Sequence, residues 1–148
     1  MVNELIVTAG MFLVLKASSS VLPASDTTAL FGGTEIVLED DSGHCRLNFK
    51  DGSVLLNVTA PCWFAVDAGG RPYRNSSSEP EAQTVFIVVA SPYSGPLSKA
   101  QRKCGTVSQA VLIDAAGVRT LPRVAHGGVR CQGEPLDPAE WWLFLNAH

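Results

Sequence analysis

Cys45-Arg46-Leu47-Asn48-Phe49-Lys50-Asp51-Gly52-Ser53-Val54-Leu55-Leu56-Asn57-Val58 carries the pattern on which the fold reading turns. Cys45, Leu47 and Phe49 alternate with polar residues, and Val54, Leu56 and Val58 repeat the same period of two. A period of two puts one row of side chains on a buried face, so both arms read as half-buried strands. Asp51-Gly52 between them is a hairpin signal, because a primed turn needs positive φ. The pattern extends in both directions. Upstream, Ile36 and Leu38 alternate with Glu35, Val37 and Glu39, ahead of a turn at Asp40-Asp41-Ser42-Gly43. Residues 26–33 read as a loose N-terminal stretch. Downstream, Pro61 stops the ladder and Cys62-Trp63-Phe64 opens another extended piece.

Residues 66–83, with Gly69, Gly70, Pro72, Pro80 and a serine run, read as a long exposed loop. Thr84–Ala90 is different in kind. Its unbroken run of β-branched and aromatic residues has no polar face, which marks a strand buried on both sides at the centre of a sheet. A polar stretch, 91–105, holds a helical turn near 97–102. Val107–Ile113, the Asp114–Gly117 turn and Val118–Leu121 then form a second hairpin, and Gly127-Gly128 leads to a short strand at Val129–Cys131. At the C-terminus Asp137 can cap a helix, with Pro138 at its first position and Glu140 three residues after the cap. Leu136 and Trp141 are spaced as a hydrophobic staple, and the aromatics of so short a helix must pack on the sheet. The fold class is mainly β, a β-rich α+β architecture. An antiparallel sheet or small sandwich is closed by one short C-terminal helix.

The chain has 148 residues, 46% hydrophobic and 17% charged, which is one domain's worth of globular sequence. Residues 1–24 read as a signal peptide, and 25–148 as a single β-rich domain. The apolar core Leu5–Leu15 is too short for a bilayer of about 30 Å, and cleavage falls after Ala24. Its n-region is acidic, with Glu4 and no Lys or Arg, and Leu22 stands where a small residue is preferred. Once the leader is removed no membrane span remains. The net charge of −3 gives no electrostatic reason to seek nucleic acid.

Cys45, Cys62, Cys104 and Cys131 are scattered, with no Cys-x-x-Cys pair. That spacing disfavours zinc and suits two disulfides in an oxidising compartment. Three connectivities exist. Cys45–Cys62 with Cys104–Cys131 is favoured, since each closes a modest loop within one half of the chain. The location that follows is periplasmic or secreted.

Pro61-Cys62-x-Phe64, the strand Val85–Val89, Cys104-Gly105-Thr106, Cys131 and Asp137…Trp142-x-Phe144…His148 together resemble a group of small periplasmic proteins of Gram-negative bacteria with no assigned activity. The resemblance spans residues 45–148. It implies a periplasmic location and supports disulfides, and it carries over no catalytic residue.

No catalytic constellation, metal site or cofactor motif is assigned. His44, His126 and His148 fall in turns or at the terminus, and the acidic Glu39, Asp40 and Asp41 near His44 read as solvated surface. Two segments suit recognition. One is Arg71-Pro72-Tyr73-Arg74, since Tyr and Arg are enriched at binding hot spots. The other is Ser91-Pro92-Tyr93-Ser94-Gly95 with the basic Lys99, Arg102 and Lys103 after it, similar in character to the loops that periplasmic lysozyme inhibitors insert into an active site. The sequence therefore points to a binding or inhibitory module, an inhibitor or immunity-type protein with a protein partner in the cell envelope. One alternative is a small hydrolase or thiol enzyme using Cys104 and His126 as nucleophile and base. Another is a structural envelope subunit.

Overall fold

The computed structural model describes residues 26–77, 83–90, 103–137 and 139, which hold nine strands. They are β1 (Thr28–Phe31), β2 (Thr34–Asp41), β3 (His44–Phe49), β4 (Gly52–Thr59), β5 (Cys62–Phe64), β6 (Arg74–Ser77), β7 (Gln83–Ala90), β8 (Cys104–Asp114) and β9 (Gly117–Cys131). All pair antiparallel, in two sheets. The first sheet is the meander β1-β2-β3-β4. The second runs β5-β7-β8-β9, with β6 also paired to β7.

The meander follows the alternating pattern with two corrections. Residues 26–33 are not loose. Gly32 and Gly33, at φ 53° and 79°, close a two-residue turn that the sequence reading passed over. That turn lets Thr28–Phe31 pair with Thr34–Val37 and bury Ala29. The β3–β4 hairpin stands where it was expected, yet its loop is Lys50-Asp51 and neither residue has positive φ. Gly52 opens β4 under the Phe49 ring, whose nearest atom is 3.4 Å from where a Cβ would stand.

The second sheet departs further from expectation. Residues 66–83 are not one exposed loop, because Val66 is buried and Arg74–Ser77 pair with Gln83–Phe86 as β6. The second hairpin is longer than its apolar runs suggest. β8 begins at Cys104, and β9 runs unbroken to Cys131 through Gly127-Gly128. Two bulges make this length compatible with pairing. Thr106 faces Gly127–Val129, and Ala110 faces Leu121–Arg123, one residue against three each time. Gly127 and Gly128 supply positive φ at the first, and Pro122, which has no N–H to give a ladder, sits in the second.

β7 is buried from Thr84 to Ala90, and both its faces carry a core. Phe86, Val88 and Ala90 face the meander and pack with Ile36, Leu47, Leu56 and Phe64. Phe64 and Phe86 meet at a tilt, with centroids 5.7 Å apart. On the opposite face Val85, Ile87 and Val89 pack with Trp63, Ala110, Leu112 and Leu136. The unbroken apolar run of β7 thus meets apolar side chains on both faces of the second sheet.

The sheets are also tied by specific bonds. Cys45 of β3 is bonded to Cys62 of β5, so this disulfide crosses from one sheet to the other. Cys104–Cys131 pins the open end of the β8–β9 hairpin, and no cysteine is free. This is the favoured connectivity. Chain-entropy reasoning gives such links roughly 3 kcal/mol each, on a model-dependent scale. Gln109, fully buried in β8, accepts the Asn57 N–H of β4 (2.8 Å) and donates to the Leu121 carbonyl of β9 (3.0 Å). At the other side of the sandwich the Phe64 N–H donates to the Asp26 carbonyl (2.6 Å), and Gln132 Nε2 donates to the Asp26 carboxylate.

At the C-terminus Asp137 Oδ1 accepts the Ala139 N–H (2.9 Å), the bond expected of a helix cap. The body of the expected helix, with Trp141 and Trp142, lies outside the described residues. So do the leader 1–24 and the segment 91–102.

Replacing Gln109 with Leu puts an apolar side chain in its place and removes the partners of one part-buried N–H and one part-buried carbonyl. A fully buried unsatisfied group costs about 1–3 kcal/mol, so urea denaturation of Gln109→Leu is expected to show a loss of about 1–3 kcal/mol from these two part-buried groups together. Unchanged stability would mean that the amide does not join the sheets.

Candidate functional site

Val66 organises one end of the second sheet. Beyond β5 the chain stays extended, and the Ala65 N–H bonds to the Ile87 carbonyl (2.8 Å). On one side Val66 bridges Pro72, and the Tyr73 N–H donates to the Ala65 carbonyl (2.6 Å). On the other it bridges Pro135, and the Leu136 N–H donates to the Val66 carbonyl (2.8 Å). The loop 67–71 and the segment 133–137 are thereby brought to the two sides of a single extended strand.

The loop is built on Asp67. Its Oδ1 accepts the N–H groups of Gly69 (2.8 Å) and Arg71 (3.1 Å), and its Oδ2 lies 3.2 Å from the Arg71 guanidinium. The Arg71 backbone N–H, opposed in part by desolvation and helped by the Gly69 N–H and the guanidinium charge, holds the Asp67 carboxyl below its ordinary 3.8. Asp41 is lowered for a different reason. There the Arg46 side chain leads, by hydrogen bond (2.8 Å) and by charge.

Beside the 133–137 segment lies a cleft of roughly 140 Å³. Trp63, Val89 and Leu136 line its apolar part, Val129 stands exposed at its rim, and Arg130, Glu134 and Asp137 bring charge to it. Arg130 Nη1 points to Ser108 Oγ and the Gly127 carbonyl, both at 3.4 Å. Ligand pockets typically run about 300–1,000 Å³, so this cleft is small for a nucleotide-sized cofactor and nearer the volume of one side chain.

The residues singled out from sequence fall out unevenly. Tyr73 is not at an exposed loop tip. Its backbone pairs with Ala65, which turns the ring half-buried onto the outer core beside Leu136. Arg71 is held by Asp67, and Arg74 is exposed on β6. Lys103 is exposed, and its carbonyl accepts the Gln132 N–H (2.8 Å), next to cleft-lining Cys131 and Gly133. Tyr93, Lys99 and Arg102 lie outside the described residues. Cys104 is bonded to Cys131, and His126 pairs with Val107 in the ladder, so the thiol–imidazole pair has no free thiol. Asp41 engages Arg46, and among the described residues no group of three or more His, Cys, Asp or Glu is placed to hold a metal ion.

Trp63, Arg130 and Glu134 were missed as site residues. The signal that could have found them is Cys131-Gln132-Gly133-Glu134-Pro135, a turn carrying an acid between a strand and a helix cap. Among the described residues no helix is long and apolar enough to cross a membrane. No protein-family model, curated protein or solved structure matches the chain.

The two carboxylates can be separated by experiment. Both are expected to titrate below 3.8 by NMR. A carboxyl depressed in the fold stabilises it above the unfolded value, and that contribution is lost as pH falls through the folded value. Arg46→Gln should return Asp41 toward the ordinary value. Arg71→Gln should leave Asp67 clearly depressed, because its leading donor is a backbone N–H. Equal responses would contradict the assignment.

Proposed function

We propose that the protein is an exported binding or inhibitory module, acting on a protein partner in the cell envelope through the surface around Val66. Its carrying observation is the cleft of roughly 140 Å³ between Val129 and Leu136, with apolar walls from Trp63 and Val89 and charge from Arg130 and Glu134. Two supporting facts concern stability and compartment. Four paired cysteines in so small a domain suit an oxidising environment, periplasmic or extracellular. A sandwich linked across its sheets also presents rigid loops, which reduces the ordering cost of binding. The thiol-enzyme alternative needs Cys104 reduced, and the cystine with Cys131 weighs against it.

The test is affinity capture from a periplasmic extract using the oxidised protein. The expected result is a discrete envelope protein retained by the wild type. It should be lost with Val129→Lys at the cleft rim and reduced with the Tyr73→Ala/Tyr93→Ala pair. Circular dichroism melts would confirm that each variant is folded. Failure to retain any protein, or undiminished retention by folded variants, would contradict the proposal.

A further inference from the structure

The outer face of the second sheet is apolar across three strands. Trp63 and Ala65 come from β5 and its extension, Val85, Ile87 and Val89 from β7, and Ala110 and Leu112 from β8. The register sets them side by side, with Trp63 opposite Val89, Ile87 opposite Ala110 and Val85 opposite Leu112. None is more than 7% exposed, and Ile87 is fully buried. Side chains standing out from one sheet do not bury one another's tips. That takes a second layer, packed about 10 Å away. Among the described members of this cluster, only Leu136 and the half-buried Tyr73 stand outside β5 with its extension, β7, β8 and β9. At about 4.8 Å between strands and 3.3 Å per residue, the face measures roughly 10 Å by 13 Å, more than one leucine and one tyrosine can cover.

The meander presents a different outer face. Leu30 and Leu55 stand there among Glu35, Glu39 and Arg46, and they are 63% and 48% exposed. An apolar segment seated on that side would have buried them. The chain instead arrives at the covered face through Leu136, whose side chain joins the cluster and whose N–H is held by the Val66 carbonyl (2.8 Å). Asp137 follows beside Trp63 and Val89, and its Oδ1 accepts the Ala139 N–H. After Glu140 the sequence reads Trp141-Trp142-Leu143-Phe144-Leu145. From Leu136 to Leu145 the chain reaches about 14 Å if wound as a helix and about 30 Å if extended, and either length spans the face. Residues 91–102 offer only Tyr93 and Leu97 as large apolar side chains. The other end of the chain enters through the meander, where the Thr27 carbonyl accepts the Leu38 N–H (2.8 Å).

We infer that the outer face of the second sheet is the seat of the chain's own C-terminal segment, with Trp141–Leu145 as its apolar cover. This goes beyond the binding-module reading and does not depend on it. The protein then has two cores of different kinds. The one between the sheets is crossed by Cys45–Cys62. The outer one is closed without a covalent tie, because no cysteine follows Cys131.

NMR of the oxidised full chain, methyl-labelled at Ile, Leu and Val, tests this without any substitution. Nuclear Overhauser contacts are expected from the Ile87, Val89 and Leu112 methyls to ring protons of Trp141, Trp142 or Phe144. The Ile36 and Leu47 methyls, in the core between the sheets, should show none to those rings. The double variant Trp141→Ser/Phe144→Ser is expected to raise the fluorescence of a dye that binds exposed apolar surface several-fold. It should shift the Val85, Ile87 and Val89 methyl resonances and leave those of Ile36 and Leu47 in place. The inference is overturned if the outer-face methyls contact residues 1–24 or 91–102 in place of those rings, or contact none of the three. It is overturned equally if the folded variant binds no more dye than the wild type. Contacts in the wild-type chain decide the matter even where the variant fails to fold.

Discussion

A strand with no polar face has to be covered twice. β7 is buried along Thr84–Ala90, and the arrangement of the other strands answers to that requirement. Phe86, Val88 and Ala90 are met by the meander, while Val85, Ile87 and Val89 are met by Trp63, Ala110, Leu112 and Leu136. Burying a Val, Ile or Phe side chain is worth about 1.5–3 kcal/mol, and since β7 is apolar on both faces its register is set by its partners β5, β6 and β8 rather than by its own alternation. β5 and β6 share one edge of β7 because neither is long enough to pair with all of it.

Holding the meander against this strand takes more than apolar contact. Among the described residues, links cross between the layers at Cys45–Cys62, at the Gln109 amide between Asn57 and Leu121, and at Asp26, whose carbonyl accepts the Phe64 N–H and whose carboxylate accepts from Gln132. The polar links satisfy backbone groups at sheet margins, where unpaired groups would otherwise invite another strand. The same rigidity positions the candidate surface. Val66 continues the strand that carries Cys62, and it holds both the Asp67 turn and the Leu136 segment in place.

How much of this was legible in the chain depends on the range of the interaction concerned. The Cys45–Val58 hairpin, the doubly buried strand and the cystine pairing were legible, since period-two alternation, an unbroken β-branched run and cysteine spacing are local signals. β1 was hidden behind Gly32-Gly33, a turn read as slack. β6 was hidden in a serine-rich stretch whose propensity is weak and whose strand character comes from pairing with Gln83–Phe86. β9 read as two pieces because Gly127-Gly128 marks a turn in most contexts, and here marks a bulge. The role of Gln109 could not be read at all, because its partners Asn57 and Leu121 belong to distant or bulged strands. For the site, the Arg71–Arg74 segment was found but Tyr73 was misjudged as exposed, and the cleft was missed because it is assembled from β5, β7 and the 129–137 segment.

The central claim is that this is an oxidised two-sheet sandwich, covalently joined across its layers, a state that suits an oxidising compartment and the proposed export. Peptide mapping under non-reducing conditions, on protein expressed with its own leader and recovered from outside the cytosol, tests it directly. The account predicts a mature chain beginning at Ser25, with linked peptides Cys45–Cys62 and Cys104–Cys131 and no alkylated thiol. Free thiols, a crossed pairing or retention in the cytosol with the leader intact would contradict it.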